Sequence, residues 1–330
     1  VTMDTTSHNF TWQVFEFGGE WGTGNSYLED VCVIDENNIW AVGEINLADT
    51  TINGYTTYNA VHWDGSKWEL KRIYHYSSCN PVDYPPFRSI IAFSDKEIIL
   101  TSGGSIGWFN GITNRTDCGI RPLLTGRINK LWGTSSSDLY AVGDNGNIAH
   151  WDGRRWKKIE SGTDLRFFDI YGAKNKVTGE YEILTICGRT NAIDKKIFRI
   201  ENRLLKEIES ASINKIIVSI WFIPGKYYYM VGHGIYIKRK LSDSVWKEIG
   251  LNVTNNSTPD ICGNDVNDVF LVSAFGECFH YNGYSWRNFG EYTKPPSGGG
   301  YRSISVKGNT VAAVGFGPRK AVILIGKRKN

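Results

Sequence analysis

Short apolar runs recur along the chain, each stopped by Gly or Ser and each too short for an ordinary helix. They read Ile39-Trp40-Ala41-Val42-Gly43, Leu139-Tyr140-Ala141-Val142-Gly143, Val269-Phe270-Leu271-Val272-Ser273 and Val311-Ala312-Ala313-Val314-Gly315. Continuous apolar runs of this length fit strands buried on both faces. Between them lie alternating segments such as Trp68-Glu69-Leu70-Lys71-Arg72-Ile73, which fit half-exposed strands. No segment keeps a helical period. Asn202 to Ile208 comes nearest, and its place in the order of elements makes it a strand.

The strands fall into a repeat. His62-Trp63-Asp64-Gly65-Ser66-Lys67-Trp68, His150-Trp151-Asp152-Gly153-Arg154-Arg155-Trp156 and His280-Tyr281-Asn282-Gly283-Tyr284-Ser285-Trp286 are three copies of one hairpin, turning at Asp-Gly or Asn-Gly. Upstream of each copy come an apolar strand, a polar turn and a second strand ending in small residues. Four strands per unit is a propeller blade. Degenerate units beginning near Phe87, Phe167, Ile213 and Tyr301 bring the count to seven. The last unit stops after Ala321-Val322-Ile323-Leu324-Ile325 without an outer strand, and Phe10 to Phe17 has the alternation to supply one. The fold class expected is all-β: a single seven-bladed propeller over residues 1–330, with four-stranded antiparallel blades and the last blade closed by the N-terminal strand.

The unit from Leu131 to Gly153, reading LWGTSSSDLYAVGDNGNIAHWDG, resembles a repeat of bacterial exported and surface β-propellers. That resemblance implies the fold rather than an activity; a composition rich in Trp, Tyr, Asn, Thr and Gly with only two Met resembles that of exported bacterial β-proteins and favours a place outside the cytoplasm, whether extracellular, at the cell surface or in the periplasm. The Asp-Gly hairpin also looks like a relative of the Asp-box turn of sialidase-type propellers, though the leading Ser/Thr-x-Asp is missing. In those proteins the box is a structural turn.

Composition narrows the function classes. A net charge of +3 with both signs scattered gives no field suited to nucleic acid, and the basic tail after Gly326 reads as a solvated end. No apolar run is long enough to cross a bilayer as a helix, so no membrane insertion is expected. Beginning at Val1, the chain reads as part of a longer exported protein with upstream domains. The six cysteines have no metal-ligand spacing, so no metal or cofactor is expected. Cys79 and Cys118 lie in loop segments at either end of one repeat unit, where a disulfide would pin both loops.

Candidate chemistry is sparse. His62, His150 and His280 hold one equivalent place in three blades, which fits packing better than catalysis. Asx-rich stretches around Asp35, Asp144 and Asp265 fall at hairpin turns, where such residues belong. Arg88, Arg127, Arg166 and Arg302 stand at or before the starts of the inner strands, and Asp30, Lys130, Lys215 and Asp260 are expected to line the channel. Long loops gather near blades seven, one and two, carrying Trp21, Tyr55, Tyr76, Tyr84, Tyr292 and Tyr301. The leading expectation is a non-catalytic recognition or scaffold module gripping a polypeptide or glycan there, with Trp21, Tyr84, Tyr301, Arg88 and Arg302 converging on one cleft. Its rivals are a glycosidase or lyase using Asp30 with Asp260 or Glu29, and a purely structural ring in a surface assembly.

Overall fold

A computed structural model describes residues 4–81, 83–189, 194–250 and 253–329. Among these residues the strands form seven four-stranded antiparallel sheets, arranged as the blades of a propeller. The inner strands are Tyr27–Asp35, Ser89–Ser94, Ile128–Ser135, Arg166–Lys174, Ile217–Ile223, Asp260–Asp265 and Gly300–Lys307, in blades 1 to 7. Each inner strand contacts the inner strands of the blades beside it, which closes the ring.

The core is divided into seven apolar clusters, one between each pair of neighbouring blades. In blade 1, Ile39 and Ala41 pack toward blade 7, while Trp40 and Val42 pack toward blade 2. Both faces of a second strand are therefore dry. This is why those strands read as unbroken apolar runs rather than as alternation.

The repeated hairpin owes its shape to its Asx residue. Asp64, Asp152 and Asn282 each accept, through Oδ1, the backbone N–H groups two and three residues on, at 2.8 to 3.1 Å. The Gly that follows has φ of 94°, 84° and 96° in the three copies, a region where a side chain is strained. The histidines of the motif are packing residues. His62, His150 and His280 lie against Trp40, Tyr140 and Phe270 at 4.3 to 4.4 Å and hydrogen-bond Asn38, Asp138 and Asp268.

Phe10–Gly18 completes blade 7, pairing in continuous register with Lys320–Arg328 from Phe10 opposite Arg328 to Gly18 opposite Lys320. Its side chains face two ways. Phe10, Trp12 and Val14 pack toward blade 6, and Phe15 and Phe17 toward blade 1. One strand thus fastens the last blade to both neighbours. Cys79 and Cys118 are joined by a disulfide that ties the long loop between blades 1 and 2 to the segment beyond the outer strand Asn114–Asp117, while Cys32, Cys187, Cys262 and Cys278 are free.

In a four-stranded meander, the start of the first strand, the connection from second to third and the exit from the fourth all lie at one end. That end is called here the upper face. The loops 19–26, 49–54, 72–88 and 289–299 rise from it around the channel mouth. Among the described residues no helix is long and apolar enough to cross a membrane.

Candidate functional site: the channel mouth

The site grows out of one irregularity repeated around the ring. Within the first two residue pairs of the inner strand, the register slips by one in blades 1, 3, 4, 5 and 7, a β-bulge each time. A regular strand sends successive side chains to opposite faces, whereas a bulge sets two residues against one on the partner strand. In these five blades two consecutive side chains therefore reach the same cavity of about 560 Å³, and with their counterparts in blades 2 and 6 they form two tiers.

The lower tier is Asp30, Ser89, Lys130, Asp169, Ser219, Asp260 and Ser303, one from each blade. It is a belt of hydrogen bonds running from blade to blade. Asp169 Oδ2 accepts from Ser219 Oγ at 2.8 Å and from the Ile220 N–H at 3.0 Å; Asp260 Oδ2 likewise takes Ser303 Oγ at 3.0 Å and the Ile304 N–H at 2.9 Å. Asp30 Oδ2 does the same toward blade 2, with Ser89 Oγ at 2.9 Å and the Ile90 N–H at 3.0 Å. Each carboxylate also caps the N–H of its own following residue. Lys130 reaches from blade 3 past blade 2 to Asp30 Oδ1 of blade 1 at 2.9 Å.

Burial sets the protonation of this tier. It pushes the Asp260 carboxyl up to about 6 against the pull of Lys130, and raises Asp169 as well. Burial works against the Lys130 charge too, but Asp30, Asp260 and Asp169 around it hold its pKa well above the ordinary lysine value.

The upper tier is Glu29, Arg88, Asn129, Phe168, Val218, Pro259 and Arg302, each one residue before its belt partner. It divides into two arcs. Blades 7, 1, 2 and 3 contribute the polar arc, which Arg166 extends; blades 4, 5 and 6 contribute Phe168, Val218 and Pro259. Arg302 is paired with Glu29, and Arg88 lies 3.9 Å from the same carboxylate. Arg166 lies 3.3 Å from Asp144, which Arg127 approaches at the same distance. Burial, with Arg88 close by, lowers the Arg166 pKa below its usual value.

Of the residues expected to line the channel, Asp30, Lys130 and Asp260 are in its wall, together with Arg88 and Arg302. Lys215 is a correction. It precedes the inner strand of blade 5 and pairs with Glu248 at 2.6 Å, and Ser219 holds the channel position instead. Tyr301 is a second correction. It is 0% exposed, lies in the core between blades 6 and 7, and donates its hydroxyl to the Thr293 carbonyl. Its position is the one that Leu28, Phe87, Ile128, Phe167 and Ile217 fill in other blades, immediately before the upper-tier residue, where the side chain turns inward.

The other loop aromatics do not enter the cavity. Trp21 is 90% exposed with the Arg319 guanidinium 4.8 Å from its ring, and Tyr84 is covered by Arg72 at 3.8 Å. Tyr55 opens the strand Tyr55–Trp63 on a tall hairpin, and Tyr292 rides the short helix Gly290–Thr293. The expected convergence is therefore partial: Arg88 and Arg302 share the mouth, Trp21 and Tyr84 stand on surrounding loops, and the aromatic inside is Phe168.

Both tiers were present in the sequence as a tetrapeptide of inward residue, mouth residue, belt residue and Ile, Val or Leu. It reads Leu28-Glu29-Asp30-Val31, Phe87-Arg88-Ser89-Ile90, Ile128-Asn129-Lys130-Leu131, Phe167-Phe168-Asp169-Ile170, Ile217-Val218-Ser219-Ile220, Thr258-Pro259-Asp260-Ile261 and Tyr301-Arg302-Ser303-Ile304. Asp169, the three serines and the apolar arc could have been found from it.

Comparison with solved structures supports the architecture. A structure described as YCF48 bound to D1 peptide matches over 100% of both chains with a TM-score of 0.68 at 14% identity. YCF48 from Cyanidioschyzon merolae matches 95% of this chain and 98% of its own, with a TM-score of 0.64 at 16% identity. The WD40 propeller domain of Doa1 matches 97% and 98%, with a TM-score of 0.65 at 12% identity. At these identities the likeness is one of fold. No protein-family model and no curated protein matches the sequence.

Proposed function

We propose that this propeller is a non-catalytic recognition module that binds a polypeptide at the channel mouth on its upper face. The observation that carries the reading is the mouth itself: a half-charged, half-apolar cup set into a rigid ring. Around it, exposed Trp21, Ile52, Tyr74, Tyr76, Phe275 and Tyr292 stand on loops of the same face. Aromatic and arginine side chains are the groups that dominate polypeptide interfaces. A propeller matched over its whole length is described with a peptide bound, which is consistent with this use of the fold.

The arrangement of carboxylates argues against the acid–base reading. Asp30 accepts hydrogen bonds from Val31, Ser89, Ile90 and Lys130, and Asp260 from Ile261 and Ile304, while the one hydroxyl hydrogen of Ser303 is shared between Asp30 and Asp260 and that of Ser219 between Asp169 and Asp260. Their lone pairs are committed to holding the ring together. Glu29 is engaged by Arg302. Work in an oxidising compartment outside the cytoplasm is part of the proposal, supported by the disulfide between Cys79 and Cys118.

The test is a selection of binding peptides from a random display library, followed by affinity measurements on variants. Arg88→Ala and Arg302→Ala should each weaken binding by roughly thirtyfold, the effect of losing a central anchor worth about 2 kcal/mol. Tyr284→Ala, on the opposite face, should leave it unchanged. Loss with Tyr284→Ala and retention with both arginine variants would put the binding surface elsewhere.

A further inference from the structure

The charges at the mouth are not balanced. Arg88 Nε and a terminal nitrogen of Arg166 both donate to one neutral acceptor, Asn129 Oδ1, at 3.1 and 3.3 Å. Asn129 is itself held from behind, its amide nitrogen donating to Asp144 at 2.9 Å and to the Phe167 carbonyl at 2.9 Å. The carboxylates within reach are shared: Glu29 serves Arg302 and Arg88, and Asp144 serves Arg127 and Arg166. Four guanidiniums against two carboxylates leave two positive charges in excess at the rim. The belt beneath adds three carboxylates against the one charge of Lys130, but their oxygens are turned to backbone N–H groups, serine hydroxyls and Lys130, and among the described residues none of them forms an ion pair with a rim guanidinium.

Arginine pairs carboxylates through a planar fork, and two forks converging on an amide oxygen mark a place where a carboxylate would be held better. Beside them the wall turns apolar: the Arg166 guanidinium lies 5.5 Å from the centre of the Phe168 ring, and Val218 and Pro259 follow from the next two blades, with no charge among the three. The bridge from Lys130 to Asp30 lies beneath this wall. A ligand suited to this wall carries an anionic group and an apolar group close together. The last residue of a polypeptide does so, with its α-carboxylate and its side chain on one carbon. An internal Asp or Glu carries charge at its tip and nothing apolar beyond.

Building on the polypeptide reading above, we propose that the mouth captures the C-terminus of a polypeptide whose last residue is apolar, the terminal carboxylate lying between Arg88 and Arg166 and the last side chain against Phe168, Val218 and Pro259. The capture follows the general mode of chain-end recognition, with guanidinium groups in place of backbone N–H groups. Specificity would reside in the last residue, and the exposed loop aromatics would meet the residues before it.

Two arrays of the same random decapeptides, both anchored by their N-termini, test this directly. One set ends in free carboxylates and the other in carboxamides. Binding is expected on the free-acid array, concentrated on sequences ending in an apolar residue, and at least tenfold weaker on the matching carboxamides. The double variant Arg88→Gln/Arg166→Gln, with its melting curve checked, should bind the free acids no better than the parent binds the carboxamides. Equal binding of both arrays by the parent protein, or undiminished binding by the folded double variant, would overturn chain-end capture and leave polypeptide binding standing. Binding to neither array would overturn both.

Discussion

Asp30 lies within hydrogen-bond distance of five donor groups in four blades, and a side chain with that many partners acts as a fastener. The same holds in smaller measure for Asp169 and Asp260, each of which caps the N–H of the neighbouring blade's inner strand. A buried carboxylate is costly unless its lone pairs are filled, and here most of the bonds that fill them also link two blades. Titration at the residue scale can be checked at His75, which is buried within the loop between blades 1 and 2 and bonded to Ser105, Asn114 and Thr116. Burial pushes its pKa down to about 4, so the folded state binds fewer protons than the unfolded state between that value and about 6.5. Its contribution is complete above pH 6.5 and is lost as pH falls toward 4, a change of about 3 kcal/mol. The difference in unfolding free energy between parent and His75→Gln, followed by urea denaturation, should shrink across that window, and a constant difference would contradict it. Residues of this kind were only partly legible in the sequence. Asp30, Lys130 and Asp260 stood out as charges at strand starts, but Asp169 lay inside the apolar stretch Phe167 to Ile170, and Lys215 stood close to the right place in a weakly patterned blade. Tyr301 looked like a loop aromatic because a glycine run precedes it, whereas the strand already includes Gly300.

Elements were far more readable than single side chains, because strand and turn chemistry is local. Asp-Gly and Asn-Gly at fixed offsets marked three hairpins, and their Asx side chains do make the turn. The bulges were not visible, since a one-residue slip depends on which side chains the neighbouring blade will accept rather than on the strand's own pattern. The closing strand was visible as a missing piece at one terminus and an unpaired segment at the other. It brings Phe10, Trp12, Phe15 and Phe17 into two blade interfaces. Burial of an aromatic side chain contributes roughly 2 kcal/mol, so a chain lacking everything before Gly18 should melt about 10 °C or more lower. It should also associate through the bared edge of Lys320–Arg328. Thermal melting followed by circular dichroism and light scattering measures both, and an unchanged melting curve would contradict a closing role for the strand.

Across the whole molecule, the two ends of the ring differ in kind. The lower face is made mostly of short turns, among them those at Gly153 and Gly283, while the upper face carries the longest loops, the disulfide and the mouth. Loop lengths in the sequence were enough to tell the faces apart. The sharing of one cup by Arg88, Arg166 and Arg302 with Phe168, Val218 and Pro259 was not, since it depends on seven blades meeting around one axis. The most direct measurement is photo-cross-linking with benzoylphenylalanine placed either at Val218 in the mouth or at Tyr284 on the opposite face, using a peptide recovered by selection. Binding at the mouth predicts cross-links from position 218, suppressed by excess unlabelled peptide, and none from position 284. Cross-links from 284 with none from 218 would contradict it.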